Sequence, residues 1–185
     1  TVDWGDGTVE ALDSKAAGNH TYNNAGDFSV YITGYLAGFH FGSSTNVQDK
    51  EKLIDITQWG VFQFDYNGFT FQGCKKLVGT ATDTPLYGGQ NGITDDMSYT
   101  FSGCYKLEGG VSGWNTSAVT NANGMFASCN QFDDDIGSWD MSNVTTMNST
   151  FSYCYVFNQD ISSWDVKSCT NFFHTFFNCA KFNQN

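Results

Sequence analysis

The stretch FSYCYVFNQDISSWD, residues 151–165, decides the fold, because a near copy, FASCNQFDDDIGSWD, occupies residues 126–140. Phe, Cys, Phe, Ile, Trp and Asp keep their places in both copies, while the positions between them vary. A motif that recurs at a fixed period, with some of its residues kept and the others free to vary, is the sequence signature of a repeat architecture. We therefore expect equivalent coils of about 25 residues that stack on one another.

Apolar columns extend this register over residues 56–185 as five coils. The second coil carries a five-residue insertion, placed near TDTPLYGGQN, residues 82–91. Each column is expected to form a structural ladder, in which every side chain meets its equivalent one coil away. The two clearest columns are Phe71, Phe101, Phe126, Phe151 and Phe176, and Cys74, Cys104, Cys129, Cys154 and Cys179.

The pattern within one coil predicts a short helix followed by a short strand. In VTTMNSTFSYC, apolar Val144, Met147, Phe151 and Cys154 follow one another at steps of 3, 4 and 3, which is typical of one helix face. The following FNQDISSW is richer in aromatic and β-branched residues and favours a strand. The predicted fold class is therefore an α/β repeat solenoid, similar to a leucine-rich repeat, with about 25 residues per coil.

Residues 1–55 lack this register and predict a separate small β module that caps the first coil. TVDWGDGTVEA predicts a hairpin, and alternating Phe28, Val30 and Ile32 predict a further strand. Asp3 and Asp6 favour turn formation beside glycine over cation binding. The predicted domains are residues 1–55 and residues 56–185, and the solenoid is expected to continue or to be truncated beyond residue 185.

The six cysteines leave two interpretations open. An even number in an extracellular chain is compatible with disulfides, and neighbouring coils lie close enough for such a bridge. Recurrence at one position favours small, buried, free thiols, and Cys169 stands where other coils have Val119 and Val144. Zinc is disfavoured because no CxxC pair occurs.

Composition excludes several classes of partner. The chain has 8 lysines, no arginine and 19 acidic residues, which gives a net charge of -11. This charge repels nucleic-acid phosphates and anionic lipid headgroups. No apolar run is long enough to span a bilayer, so direct membrane insertion is not expected.

The sequence does not predict an enzyme. The three histidines have no recognisable nucleophile partner, and no G-x-S-x-G, HExxH or P-loop motif occurs. Asp133, Asp134, Asp135 and Asp160 gather on one side of the predicted solenoid, an arrangement more typical of a solvated face than of a glycosidase pair. A weak Ca²⁺ site at Asp135 and Asp160 is an alternative, and no other cofactor is expected.

The tryptophan column has two interpretations, core or exposed aromatic rail, and core is favoured because Trp is usually buried. An exposed rail beside the acidic residues would be the best candidate contact surface. The candidate binding residues are therefore Asp133, Asp135, Asp160, Trp114, Trp139 and Trp164.

Two stretches resemble known families. WDMSNVTTMNSTFSYCYVFNQDISSWD, residues 139–165, is similar to the repeats of BspA-like leucine-rich-repeat surface proteins, and this similarity covers residues 56–185. WGDGT followed by HTYNNAGDFSVYITG resembles the second half of a PKD-like β module. The resemblance implies a bacterial or phage-associated surface protein that binds a partner without catalysis.

These observations predict a non-catalytic extracellular binding or adhesion module. Its partner would be a protein or glycan on another surface, contacted through one face of the solenoid. The alternative is a structural subunit of an extracellular filament, sheath or phage fibre, in which neighbouring copies stack end to end. Both place the protein outside the cell, at a cell or virion surface.

Overall fold

A computed structural model describes residues 1–11, 20–34, 36–37, 41, 50–64, 67–87, 90–91 and 93–184. The chain divides into two compact units, Thr1–Leu36 and Ala37–Asn185. The predicted boundary between residues 55 and 56 marks the start of the repeat register and stays a prediction. His40, one of the three histidines, and residues 88–89 of the predicted insertion lie outside the described residues.

The first unit contains a three-stranded antiparallel sheet. Strand β1 (Val2–Asp3) lies between β2 (Val9–Glu10) and β3 (Tyr31–Ile32). The backbone N–H of Trp4 donates to the carbonyl of Thr8 over 3.0 Å and closes the β1–β2 turn. The predicted hairpin is therefore confirmed, whereas only the last two residues of the predicted third strand pair with β1.

The remaining strands are short. They are β4 (Leu36–Ala37), β5 (Phe62–Gln63), β6 (Leu86–Tyr87) and β7 (Gln90–Asn91). Strands β6 and β7 form an antiparallel hairpin within the predicted insertion. Within residues 93–184 the structure has no strand, only isolated parallel bridges.

The predicted α/β repeat solenoid is wrong. Among the described residues only Lys50 has helical structure, and no coil contains the expected helix and strand. In their place each 25-residue unit, here called a layer, is a succession of turns. The steps of 3, 4 and 3 arise from turns closed by i→i−3 hydrogen bonds, such as Cys154 N–H to Phe151 O at 2.9 Å, rather than from an α-helix.

Backbone hydrogen bonds join successive layers. The N–H groups of Met97 and Tyr99 donate to the carbonyls of Asn121 and Asn123, 24 residues later, over 2.9 and 2.8 Å. Bonds with the same offset recur in the next two pairs of layers. Isolated parallel bridges join Asp96 to Asn121, Asn121 to Thr146, and Thr146 to Asn171. The layers therefore stack in a fixed register.

Left-handed backbone conformations explain why a helix does not form. Ser149 (φ 58°) and Tyr153 (φ 63°) interrupt the segment in which a helix was predicted. An α-helix would direct every N–H to a carbonyl four residues earlier in the same layer. Here Ser149, Phe151 and Tyr153 donate to the next layer, while Thr150 and Ser152 donate within their own. The backbone N–H groups of this segment therefore alternate between carbonyls of the next layer and carbonyls of their own layer.

The core of the second unit is largely aromatic. Neighbouring rings in the phenylalanine column lie 5.5–5.6 Å apart and within 10° of parallel. Phe126 packs in addition on Phe132, with ring centroids 4.1 Å apart. Phe126, Phe132 and Cys129 have no exposed surface. The repeated apolar residues therefore fill the layer interiors, together with buried threonines such as Thr100 and Thr150.

Candidate functional site

The acidic residues form hydrogen bonds with the backbone of their own and adjacent layers. Asp134 is half-buried, and its Oδ2 accepts from the N–H groups of Val111 and Ser112 over 2.8 and 2.9 Å. Exposed Asp133 accepts from the N–H of Asn158 over 2.9 Å. These two carboxylates therefore hold neighbouring layers together.

Asp135 and Asp160 have a more local role. Each accepts the N–H of the residue two positions later, Gly137 or Ser162, over 3.1 and 2.9 Å, as in an Asx turn. The backbone hydrogen bond from Ser162 lowers the pKa of Asp160. A glycosidase acid instead needs a raised pKa.

No group of three or more His, Cys, Asp or Glu side chains within the described ranges is arranged to hold a metal ion. The Ca²⁺ alternative at Asp135 and Asp160 therefore gains no further ligand from these side chains. In the first unit, the side chains of Asp3 and Asp6 accept from the N–H groups of Gly5 and Thr8 over 2.9 and 3.0 Å. Both aspartates thus act as turn residues.

The tryptophans belong to the core, the favoured of the two sequence interpretations. Trp114 and Trp139 are 4% and 5% exposed, and Trp164 is half-buried. Trp139 and Trp164 donate through Nε1 to the carbonyls of Val111 and Ile136, 28 residues earlier. Trp114 and Trp139 cannot offer a ring face to a partner, so they are unsuitable as contact residues.

The buried Nε1 of Trp114 has no hydrogen-bond partner. Across the five-residue insertion the equivalent offset is 33 residues, as in the bond from Cys104 Sγ to Phe71 O, so the corresponding carbonyl belongs to Ala81. Trp114 thus differs from Trp139 and Trp164, whose Nε1 groups both donate to the preceding layer.

The cysteine column consists of free thiols. The Sγ atoms of Cys104, Cys129 and Cys154 each donate to the carbonyl of a phenylalanine in the preceding layer over 3.1 Å. Burial raises the pKa of all three thiols well above the ordinary value, and raises that of Cys74 to about 12 and that of Cys179 to about 11. The column is thus chemically unreactive and structural.

His20 occupies a structural position in the first unit. Its Nε2 lies 2.8 Å from Asp6 Oδ2, and its ring stacks on Trp4 at 4.7 Å. The hydrogen bond with His20 is the main cause of the lowered pKa of Asp6. The contacts with Asp6 and Trp4 thus link His20 to the turn that precedes it.

A second surface was not singled out from the sequence. We call it the turn face, meaning the half-buried and exposed side chains of residues 98–105, 123–130, 148–155 and 173–180. These four segments contain no Asp, Glu or Lys. Tyr105, Tyr153 and Tyr155 are 44%, 39% and 41% exposed. The signal available in the sequence was the absence of charge from four equivalent segments of an otherwise acidic chain.

The fold and its surfaces define a protein built from stacked 25-residue turn layers, with a structural cysteine column and two chemically different faces. Residues 93–185, half of the chain, match the family described as Mycoplasma protein of unknown function, DUF285, and the chain belongs to that family. No curated protein and no solved structure matches it. The leucine-rich-repeat and solenoid assignments are therefore not supported, and the BspA-like and PKD-like resemblances stay predictions.

The described part of the chain has no helix of the length and apolarity needed to cross a bilayer.

Proposed function

We propose that the protein is a non-catalytic binding module on a cell or virion surface, which contacts a protein or glycan on another surface. The observation that carries the proposal is the fixed register of the layers. Because equivalent backbone groups pair layer after layer, equivalent side chains form files along the outside of the second unit. Such files multiply one contact along a surface, as the binding faces of repeat proteins do.

The interior supports the same proposal. Aromatic rings and thiols, together with buried threonines such as Thr100 and Thr150, fill the layers, and the remaining polar and half-exposed side chains lie on the outside. Chemistry in an enzyme usually takes place in a concave pocket with convergent polar groups. A surface of repeated files is better suited to an extended contact.

An array of immobilised glycans and extracellular proteins tests the proposal. We expect the labelled 185-residue chain to bind some members saturably. Heat-denatured chain is the negative control, because binding through files of side chains requires the stacked layers. The absence of saturable binding to every protein and glycan on the array would overturn the proposal.

End-to-end assembly is a second candidate function, favoured by one observation. Phe172 is 46% exposed, whereas Met147, its equivalent one layer earlier, is 1% exposed. The N–H groups of Phe172 and His174 have no acceptor within the described ranges, while those of Met147 and Ser149 donate to the next layer. A further layer, from whichever chain, would bury the ring and pair these amides.

Light scattering of the purified chain tests this candidate. Polymers whose mass grows with concentration would support assembly through this edge, and they should be lost in Phe172→Asp. A monodisperse monomer at all concentrations would exclude assembly of this chain by itself.

A further inference from the structure

The charges of the second unit are segregated. Asp133, Asp135, Asp140, Asp160 and Asp165 are all exposed and lie outside the turn-face segments. The turn face carries no Asp, Glu or Lys in 32 residues, although the chain has 8 lysines and 19 acidic residues. An uncharged surface on a protein of net charge -11 suits an uncharged ligand, because a charged group would lose its hydration there without gaining an ion pair.

The turn face also presents aromatic rings. Tyr153 and Tyr155 lie in a T-shaped arrangement, with ring centroids 6.2 Å apart and planes at 89°. Tyr153 also meets Phe177 of the next layer at 5.4 Å and 79°. Perpendicular rings expose both a ring face and a ring edge at the same place. Tyr105 stands two layers before Tyr155 at the equivalent position, so rings recur along the stack.

The turn face also carries polar groups that suit hydroxyl ligands. Asn148 is half-buried, and its Oδ1 accepts from the hydroxyl of Ser149, which leaves its Nδ2 available as a donor. The half-buried Ser128 contributes a hydroxyl in the layer before Tyr153. Amide and hydroxyl groups together donate and accept, as the hydroxyls of a sugar also do.

We propose that the turn face binds a linear, neutral oligosaccharide laid along the stack, with Tyr153 and Tyr155 as its aromatic contacts. The inference deepens the proposed binding function and rests on it. The C–H groups on the apolar face of a sugar ring carry partial positive charge and pack on the negative face of an aromatic ring. The sugar hydroxyls reach the flanking Asn and Ser groups. Nucleic acids and acidic glycans are repelled by the net charge of -11.

The test uses cellohexaose, maltohexaose and chitohexaose as neutral probes, and a hyaluronan hexasaccharide and an oligogalacturonate as acidic ones. The chain is titrated with each by calorimetry. At least one neutral probe should bind, and Tyr153→Ala and Tyr155→Ala should each weaken that binding about tenfold or more, as expected for aromatic contact residues. Equal urea-unfolding midpoints of the variants and the parent chain show that folding is unchanged.

Two control variants separate this surface from others. Tyr31→Ala removes a 64% exposed tyrosine from the first unit, and Asp165→Asn removes a charge from an exposed position of the second unit outside the turn face. Neither should alter the affinity for the neutral probe. If the tyrosine variants are not stable enough to titrate, Tyr153→Phe and Tyr155→Phe keep the rings and should retain binding.

Several results would overturn the inference. They are binding to acidic probes alone, binding that Tyr153→Ala and Tyr155→Ala leave unchanged, loss of binding in Asp165→Asn, and binding on the array to proteins but to no glycan. Each leaves the proposed function intact, because the chain would still bind a partner. The absence of binding to every glycan and protein would remove both proposals.

Discussion

At the scale of single residues, the repeated positions are those at which a side chain meets its own equivalent. Phe126 is the clearest example. Its ring lies 5.6 Å from both Phe101 and Phe151, 4.1 Å from Phe132 and 5.9 Å from Trp139. A ring placed in this way stabilises the layers on both sides of its own.

Phe126→Ala should lower the free energy of unfolding by about 3–5 kcal/mol, because it removes a fully buried ring and leaves a cavity between layers. Phe173→Ala, at a ring that is 63% exposed, is the matched control and should cost less than about 1 kcal/mol. Urea unfolding followed by tryptophan fluorescence measures both. Equal losses of stability in the two variants would contradict the stacked core.

At the scale of the element, the layers depend on close approach of their backbones. Gly68 has φ +69°, and its neighbour Phe69 donates its N–H to Ser98 O over 2.7 Å. A Cβ on Gly68 would overlap that same carbonyl oxygen. Gly60, at φ +57°, has no atom within 4 Å of the position a Cβ would take. Substitutions at these two glycines therefore separate the cost of the left-handed conformation from the cost of crowding between layers.

Gly60→Ala should cost about 1–2 kcal/mol, the ordinary penalty of a left-handed conformation. Gly68→Ala should cost about 1–3 kcal/mol more, because it also overpacks the contact between layers. Chemical denaturation of the two variants gives the difference. If the two costs are the same, the layers do not approach as closely at Ser98 as the structure has them.

The carboxylates that join layers provide a second test at this scale. Asp134→Ala removes the acceptor of two N–H groups in the preceding layer and should cost about 1.5–3 kcal/mol. Asp135→Ala removes one local hydrogen bond at an exposed position and should cost about 0.5–1 kcal/mol. Comparison of their urea midpoints checks the order. A larger loss of stability in Asp135→Ala would contradict the structure, in which Asp134 rather than Asp135 joins the layers.

The sequence predicted the period and the inward-facing positions of the layers but not their secondary structure. Steps of 3, 4 and 3 fix which side chains share a face, and both a helix and a run of three-residue turns satisfy them. The deciding factor is the left-handed conformation of residues such as Ser149 and Tyr153, which no propensity scale favours for these side chains. It is imposed by hydrogen bonds to the next layer, a tertiary effect.

At the scale of the whole molecule, the thiols should act together at high pH. Burial raises the pKa of five thiols, those of Cys74, Cys104, Cys129, Cys154 and Cys179. In the unfolded chain these thiols lose protons near their ordinary pKa, while the folded chain keeps them. The unfolded state therefore binds fewer protons at alkaline pH, and the free energy of unfolding falls as pH rises.

Between about pH 9 and the raised values, each thiol should contribute a loss of about 1.4 kcal/mol per pH unit. Below about pH 8 the thiols are protonated in both the folded and the unfolded chain, so their contribution to the free energy of unfolding should not change with pH. Urea unfolding across this range measures the slope of the free energy of unfolding against pH. Cys154→Ala should make this slope shallower by the contribution of one thiol. Stability that stays constant up to about pH 10.5 would show that the column is open to water in solution.

The sequence predicted the candidate site less well than the period. It identified Asp133, Asp135 and Asp160 as exposed acids, but it could not show that their oxygens accept backbone N–H groups, because the acceptor depends on the next layer. It favoured the core for the tryptophans, and Trp114 and Trp139 are indeed buried. The turn face could not be predicted, because which side chains of these segments are exposed depends on left-handed turns and on hydrogen bonds to the next layer.

The constant offset between paired layers has a consequence for how such a chain can change in length. When a block of 25 residues is duplicated or deleted, every later side chain stays in its own file, and the stack gains or loses one complete layer. A block of any other size cannot keep this register, so its extra residues form a structure of their own, as the β6–β7 hairpin does between residues 86 and 91. Natural length variants should therefore differ by whole multiples of the repeat, with the exceptions visible as side loops.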